Sequence, residues 1–335
     1  MLNQVTGVLS YHSEWAEDVN PYALEACWRL GKWEDFESQS KKVHSGRFEV
    51  KLGSLLFAAR KDDELRFRGL LESIRGDLTV SIAAASMESY RRCYDSVLQL
   101  HMLHEVESAF KVLKKADPAS VSDKFEKMTS FWNSRFKLAI QSFKITEPIL
   151  SLRRLVLASL CVHFTQAFGS CESQPAFFRS TNVGQAGLVR QMQELQELEQ
   201  GKLWLQSAKI SRKSGHLQTS YGALLHAAEL QEESVHLERA KWIWEKGQTH
   251  KAMYELQSAA LRLREECESL QDVDAAALKE KKIILAKTEL LHARWIHETS
   301  SGATNAILAQ YSRVIREQPE YALITYRRET VLTLH

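Results

Sequence analysis

Three glycines, Gly215, Gly247 and Gly302, each sit inside the same spaced pattern, and no other feature of the chain constrains its fold so strongly. Seven residues before them lie Ala208, Ala240 and Trp295; five after, Ser220, Ala252 and Ile307; nine after, Leu224, Leu256 and Tyr311; twelve after, Ala227, Ala259 and Val314. Steps of four and then three place the later positions on one stripe of a helix, because residues three or four apart share a helical face. The residues before each glycine belong to a preceding helix. Glycine lacks a Cβ and admits the left-handed backbone that lets one helix turn into the next. Gly215 and Gly247 stand 32 residues apart, close to the period of tetratricopeptide helical hairpins. A related unit lies near the start, in Ala26-Cys27-Trp28-Arg29-Leu30-Gly31-Lys32-Trp33, where one helix ends and another begins. An irregular helical bundle with glycine caps is the plainer alternative.

Breakers are scarce, with 14 Gly and 5 Pro in 335 residues, too few for a sheet protein that turns every ~10 residues. The expected fold is therefore all-α, an α-solenoid of tetratricopeptide-like helical hairpins. Further helical stripes are Leu55, Leu56 and Ala59 leading toward Leu65; Tyr94, Leu98, His101 and Glu105; Leu188, Met192 and Leu195; and Ile283, Ile284, Leu290, Leu291 and Trp295. Thr146-Glu147-Pro148 reads as a helix start with Thr146 as the cap. Residues 161–187 mix Phe164, Phe168, Phe177 and Phe178 with Gly, Ser, Pro and Asn and read as an irregular insertion or disordered loop. The organisation expected is a helical-repeat segment over 1–160, that insertion over 161–187, a second helical-repeat segment over 188–321 and a divergent tail over 322–335.

Little in the chain points to chemistry. The formal charge of +2 gives no field to gather nucleic acid or an anionic membrane. Basic pairs such as Arg91-Arg92, Arg153-Arg154 and Arg327-Arg328 read as solvated helix faces. So do the carboxylate pairs Glu232-Glu233 and Glu265-Glu266. Five scattered cysteines without a Cys-x-x-Cys spacing suit buried thiols in a reducing compartment. No secretory signal is read after Met1, and no stretch is apolar enough to span a bilayer, so a soluble intracellular protein is expected. His101-Met102-Leu103-His104-Glu105 has neither order of a zinc helix. There is no Gly-rich phosphate loop, His-Arg-Asp loop or Asp-Phe-Gly, so no catalytic, cofactor or metal site is expected, and no cofactor. The residues singled out are structural repeat positions: Trp28, Gly31, Trp33, Ala208, Gly215, Leu224, Ala240, Trp244, Gly247, Leu256, Gly302 and Tyr311. Trp244 shares a stripe with Leu237 and Ala240, whereas Trp242 falls about 160° away beside Glu238, from ~100° per helical residue. Trp242 must pack against another repeat or face a partner, and is the candidate partner contact.

Several longer strings carry a resemblance. Glu25-Ala-Cys-Trp-Arg-Leu-Gly-Lys-Trp-Glu34, Leu100-His-Met-Leu-His-Glu105, Glu147-Pro-Ile-Leu-Ser-Leu-Arg-Arg154, Trp204-Leu-Gln-Ser-Ala-Lys209, Arg212-Lys-Ser-Gly-His216 and Glu238-Arg-Ala-Lys-Trp-Ile-Trp-Glu-Lys-Gly247 follow one another in order. Together they resemble the FAT region of the ATR (ataxia-telangiectasia-and-Rad3-related) branch of the phosphatidylinositol-3-kinase-like protein kinases. The resemblance implies a non-catalytic α-solenoid that clamps and regulates a serine/threonine kinase domain in cis, in a nuclear DNA-damage checkpoint protein. It also implies that the kinase domain, the FATC tail and the N-terminal repeats that receive an ATRIP-type partner lie outside these residues, so no catalytic residue is carried over. Residues 161–187 and 322–335 depart from the family pattern. The alternative is a free-standing tetratricopeptide-like adaptor that binds peptides, although no repeated Lys/Arg/Asn groove pattern appears.

Overall fold

The computed structural model describes residues 2–41, 43, 45–86, 90–114, 120–169, 179–269 and 275–317. Among them there is no strand; helices follow one another through short turns. The chain divides into two compact units, Met1–Leu203 and Trp204–His335.

The first unit holds α1 (Leu2–Tyr11), α2 (Ala16–Arg29), α3 (Trp33–Ser40), α4 (Phe48–Arg60), α5 (Glu64–Ser86), α6 (Tyr90–Lys114), α7 (Val121–Phe136), α8 (Phe143–Gly169) and most of α9 (Arg179–Lys213). Its core begins where Trp28 and Phe36 close over Gly53 of α4 and Phe36 meets Phe57; Leu52 and Leu55 of the same helix are buried as well. Trp28 does not leave its polar edge stranded, since Nε1 donates to the Glu49 carbonyl at 3.0 Å. Trp33 is half-buried beside Phe36 and Phe57, with the Arg60 guanidinium over its ring. Farther along, Phe67 of α5 stacks on Phe110 of α6 at 4.1 Å.

The second unit takes the end of α9 and then α10 (Leu217–Glu229), α11 (Val235–Glu245), α12 (Thr249–Ser269), α13 (Ala275–Glu298) and α14 (Thr304–Glu317). Here the repeat pattern becomes a core. Ala208, Ala240 and Trp295 are buried on the first helices, and Ser220, Ala252, Ile307, Leu224, Leu256, Ala227, Ala259 and Val314 on the second; Tyr311 is half-buried. Small residues at the crossing points let neighbouring helices approach: Ser220 Oγ reaches the Ala208 carbonyl at 2.9 Å.

The turns share one physical solution. Gly31, Gly215 and Gly247 have φ of +70°, +80° and +79°. At Gly247 the glycine N–H donates to the Trp244 carbonyl at 2.9 Å and the Gln248 N–H to the Ile243 carbonyl at 3.2 Å. This is the paired closure that satisfies carbonyls left over at a helix C-terminus. The same pair of bonds forms around Gly31 and Gly215, and also around Asp62, Gln231 and Ser300, whose φ values are +59°, +54° and +50°. Gly302 is different from the expectation that every repeat glycine makes the turn. Ser300 takes the left-handed position, two residues earlier, and Gly302 serves close approach: a Cβ there would lie 2.6 Å from Ile296 Cγ2. At Gly247 a Cβ would meet nothing within 4 Å. Gly247→Val is therefore expected to lose about 1–2 kcal/mol through backbone strain alone, read as a lower denaturant midpoint.

Several other expectations are corrected. Leu65 does not continue the Leu55–Leu56 stripe, because α4 ends at Arg60 and Asp62 turns the chain; Leu65 is 87% exposed at the start of α5. Thr146 is not a cap. The helix begins one turn earlier, the Ser142 carbonyl accepts the first bonds, and the buried Thr146 hydroxyl donates back to that carbonyl at 2.7 Å. The irregular stretch expected over 161–187 is narrower, since backbone is helical through Gly169 and again from Arg179. Residues 170–178 and the tail 322–335 lie outside the described residues.

Candidate interaction site

Several charged groups buried in this fold hold helices to one another. In the first unit Glu105 of α6 and Arg153 of α8 are each 1% exposed. Arg153 Nε donates to Glu105 Oε2 at 2.9 Å, and its Nη2 bonds Glu105 Oε1 and the Trp132 carbonyl. The guanidinium lies over the Trp132 and Phe136 rings. Trp132 Nε1 donates to Ser108 Oγ, which donates in turn to the Glu105 carbonyl. One ion pair thus ties α6, α7 and α8 together. This overturns the reading of Arg153-Arg154 as a solvated face; Arg154 too is largely buried, bonded to Glu147 at 2.7 Å. A local charge pattern cannot reveal that the partner of Arg153 stands 48 residues upstream.

His101 belongs to the same network, with Nε2 2.9 Å from the Glu105 carboxylate, while His104 meets Phe131 edge-on. Among the described residues no group of three or more His, Cys, Asp or Glu could hold a metal. Burial alone would push the Glu105 carboxyl up, but the hydrogen bonds from Arg153, with the His101 imidazole close by, hold it below the usual value.

The second unit repeats the device. Glu238 of α11 accepts from Arg212 of α9 and from Lys241. Glu289 of α13, nearly fully buried, is clasped by Arg264 of α12 at 2.8 Å and by Arg313 of α14 at 3.2 Å. His236 of α11 reaches Thr288 of α13 through Nε2 at 2.8 Å, and its Nδ1 donates to the Glu233 carbonyl.

Burial pushes the imidazoles of His236, His292 and His104 below their ordinary range; for His236 this outweighs the Glu233 carbonyl and the nearby Glu266, while Arg262 adds to it. A lowered folded-state value means that the unfolded chain binds more protons in mild acid. The stabilisation is complete above the unfolded value near ~6.5 and is lost as pH falls through the folded-state values. Melting temperature is accordingly expected to hold between pH 7 and 8 and to fall below about 6.5, with His236→Gln flattening that decline.

The aromatic residues resolve the question posed by Trp242 and Trp244. Trp244 stacks on Trp295 at 4.3 Å, in the cluster that also contains Leu237, Ala240 and Leu256. Trp242 is half-buried and packs on α10, the preceding helix: Nε1 donates to the Leu217 carbonyl at 2.8 Å, Tyr221 stacks on its ring, and Lys246 Nζ lies 4.0 Å from the ring centroid. Its ring is thus engaged within the unit, with part of its surface left open. The apolar side chains left exposed in this unit are instead Tyr221 and Leu225 on α10, Tyr254 and Leu261 on α12, and Leu308 and Ile315 on α14. Sequence reading missed them because they lie off the buried stripe. They share a signal, however: all stand on the second helix after a repeat turn.

Cys27, Cys93 and Cys267 are buried thiols. No helix among the described residues is long and apolar enough to cross a membrane.

The FAT domain family matches residues 20–322 of the chain. The chain is 27% identical to the serine/threonine-protein kinase ATR of Arabidopsis thaliana over 94% of its own length and 12% of that protein. It is 27% identical to the ATR kinase of Oryza sativa subsp. indica, over 89% of this chain and 11% of that one. The ATR kinase of Drosophila melanogaster is 26% identical over 87% of this chain and 11% of the relative. The chain thus spans about a tenth of the length of the curated relatives it matches. In such kinases the FAT domain is a non-catalytic region, consistent with a fold whose buried polar groups are spent on joining helices. A match across this much of a chain made of helical hairpins fixes its kinship: it belongs to the FAT domain family.

Proposed function

We propose that the chain is the non-catalytic helical scaffold of an ATR-like DNA-damage checkpoint serine/threonine kinase, and that it clamps and regulates a kinase domain in the same polypeptide. The observation that carries this reading is the similarity to ATR proteins across nearly the whole chain. Within Arabidopsis thaliana the comparison discriminates between branches: ATR is 27% identical over 94% of the chain, and the TOR kinase 21% over 91%. The physical case is that stacked hairpins bury their stripes against one another and leave an extended surface for a partner. Buried ion pairs across successive helices hold that surface in register. On this reading the protein works in the nucleus, and an ATRIP-type partner binds through regions outside these residues.

The test is to mix the chain with the separately expressed kinase domain of the same polypeptide. A one-to-one complex that changes the domain's basal activity is expected, and no complex at micromolar concentrations would overturn the proposal. Calorimetric titration of the chain alone with ATP and magnesium should show no saturable binding. One-to-one micromolar binding would contradict a non-catalytic role.

A further inference from the structure

We propose that Gln310 of α14 and His292 of α13 form a pH-sensitive latch, which holds α14 in full only while the imidazole is uncharged. This goes beyond the kinase scaffold reading and does not depend on it.

Donors and acceptors at this contact can be counted. Gln310 Nε2 lies 3.4 Å from the Glu289 main-chain carbonyl and 3.4 Å from His292 Nδ1. A carbonyl only accepts, so the side-chain amide must turn its NH2 group toward Glu289, not its oxygen. The same nitrogen then faces His292, so Nδ1 must accept as well and carries no proton. A neutral imidazole meets that condition with its one proton on Nε2. A charged imidazole does not, because both ring nitrogens then carry protons and Nδ1–H points at an N–H donor. Turning the amide over gives no relief: Oε1 would accept from Nδ1–H but would face the Glu289 carbonyl, acceptor against acceptor. Protonation therefore removes one of the two amide bonds whichever way Gln310 lies.

The surroundings of the ring favour its neutral form. His292 is half-buried, and burial lowers its pKa against the pull of Glu289, three residues back on the same helix. The Glu289 carboxylate is already clasped by Arg264 of α12 at 2.8 Å and by Arg313 of α14 at 3.2 Å. From α11, His236 reaches the same helix at Thr288. Arg313 and the buried Ile307 and Val314 hold α14 independently of the ring, so the latch governs how often α14 opens and not whether it folds. Its contribution is complete above the ordinary histidine value near ~6.5 and is lost as pH falls through the lowered one.

The experiment is amide hydrogen exchange of the whole chain at about pH 7.5 and about pH 5.5, read as protection factors so that the intrinsic pH dependence of exchange cancels. At the lower pH, protection of α14 is expected to fall about fivefold or more beyond any fall in α12, because a helix that loses a tie opens more often. His292→Gln keeps an acceptor for the Gln310 amide but takes up no proton, so it should abolish that extra loss. Gln310→Met should lower α14 protection already at the higher pH and leave little further to lose. An equal fall over α12 and α14 in the native chain would overturn the proposal, because acid would then loosen the unit as a whole. So would an undiminished extra loss in His292→Gln, because the proton would then be bound elsewhere.

Discussion

Arg153→Met is expected to cost the first unit about 3–5 kcal/mol, a large fraction of the stability of an ordinary domain. The guanidinium supplies the bonds that offset burial of the Glu105 carboxylate, and it also satisfies the Trp132 carbonyl. Removing it leaves a charge that is 1% exposed with only His101 near it. Glu105→Gln should cost a similar amount, since it removes the carboxylate that balances the guanidinium's buried charge over the Trp132 and Phe136 rings. The informative variant is Glu105→Leu with Arg153→Met. If the pair serves mainly to fix the register of α6, α7 and α8, the apolar pair should recover most of the lost stability, because well-packed apolar residues can replace a buried ion pair at little cost. Chemical denaturation of the native chain, Arg153→Met, Glu105→Leu and the double variant closes the cycle. A loss under 1 kcal/mol for Arg153→Met would show that water reaches the pair and that it is no clasp.

The second large effect reverses the sign that helix propensity gives. Gly53 sits inside α4, where exchange for alanine ordinarily gains about 0.5–1 kcal/mol. Here an added Cβ would lie 2.5 Å from Trp28 Cδ1 and 2.8 Å from Phe36 Cε2. Both rings are almost wholly buried, and Trp28 is further held by its bond to the Glu49 carbonyl. Gly53→Ala should therefore destabilise by about 1–3 kcal/mol through overpacking, and Trp28→Ala by about 3–5 kcal/mol through the cavity it leaves. The two effects share one space, so they must not add. In the Trp28→Ala background Gly53→Ala should cost clearly less, because the cavity left by the indole gives the Phe36 ring room to shift. Additive losses in thermal or denaturant melts would mean that the contact between glycine and indole is incidental.

These two sites mark the line between what is written locally and what is not. The helical class, the turns at Gly31, Gly215 and Gly247, and the buried stripe through Ala208, Leu224, Ala240 and Leu256 follow from spacing and from the one residue that tolerates positive φ freely. Those are short-range facts, because residues three or four apart must share a helix face whatever lies beyond it. Family membership was legible for a related reason: turn and stripe residues recur in order, and strings such as Trp28-Arg29-Leu30-Gly31 carry it.

Tertiary structure decided the rest. A pair of arginines reads as a solvated face until α6 brings Glu105 against α8, and Gly53 reads as a weak helix residue until Trp28 and Phe36 close over it. Gly302 looks like its two predecessors in the repeat, yet Ser300 takes the left-handed turn and Gly302 makes room for Ile296. Trp242, 160° from the buried stripe by helical geometry at ~100° per residue, finds cover on α10. Neither the period nor the composition says how many sides of a helix will meet a neighbour. The sequence determines which residues share a helix face, because that is set by backbone geometry within one turn. What a face meets depends on chain dozens of residues away, and only packing brings the two together.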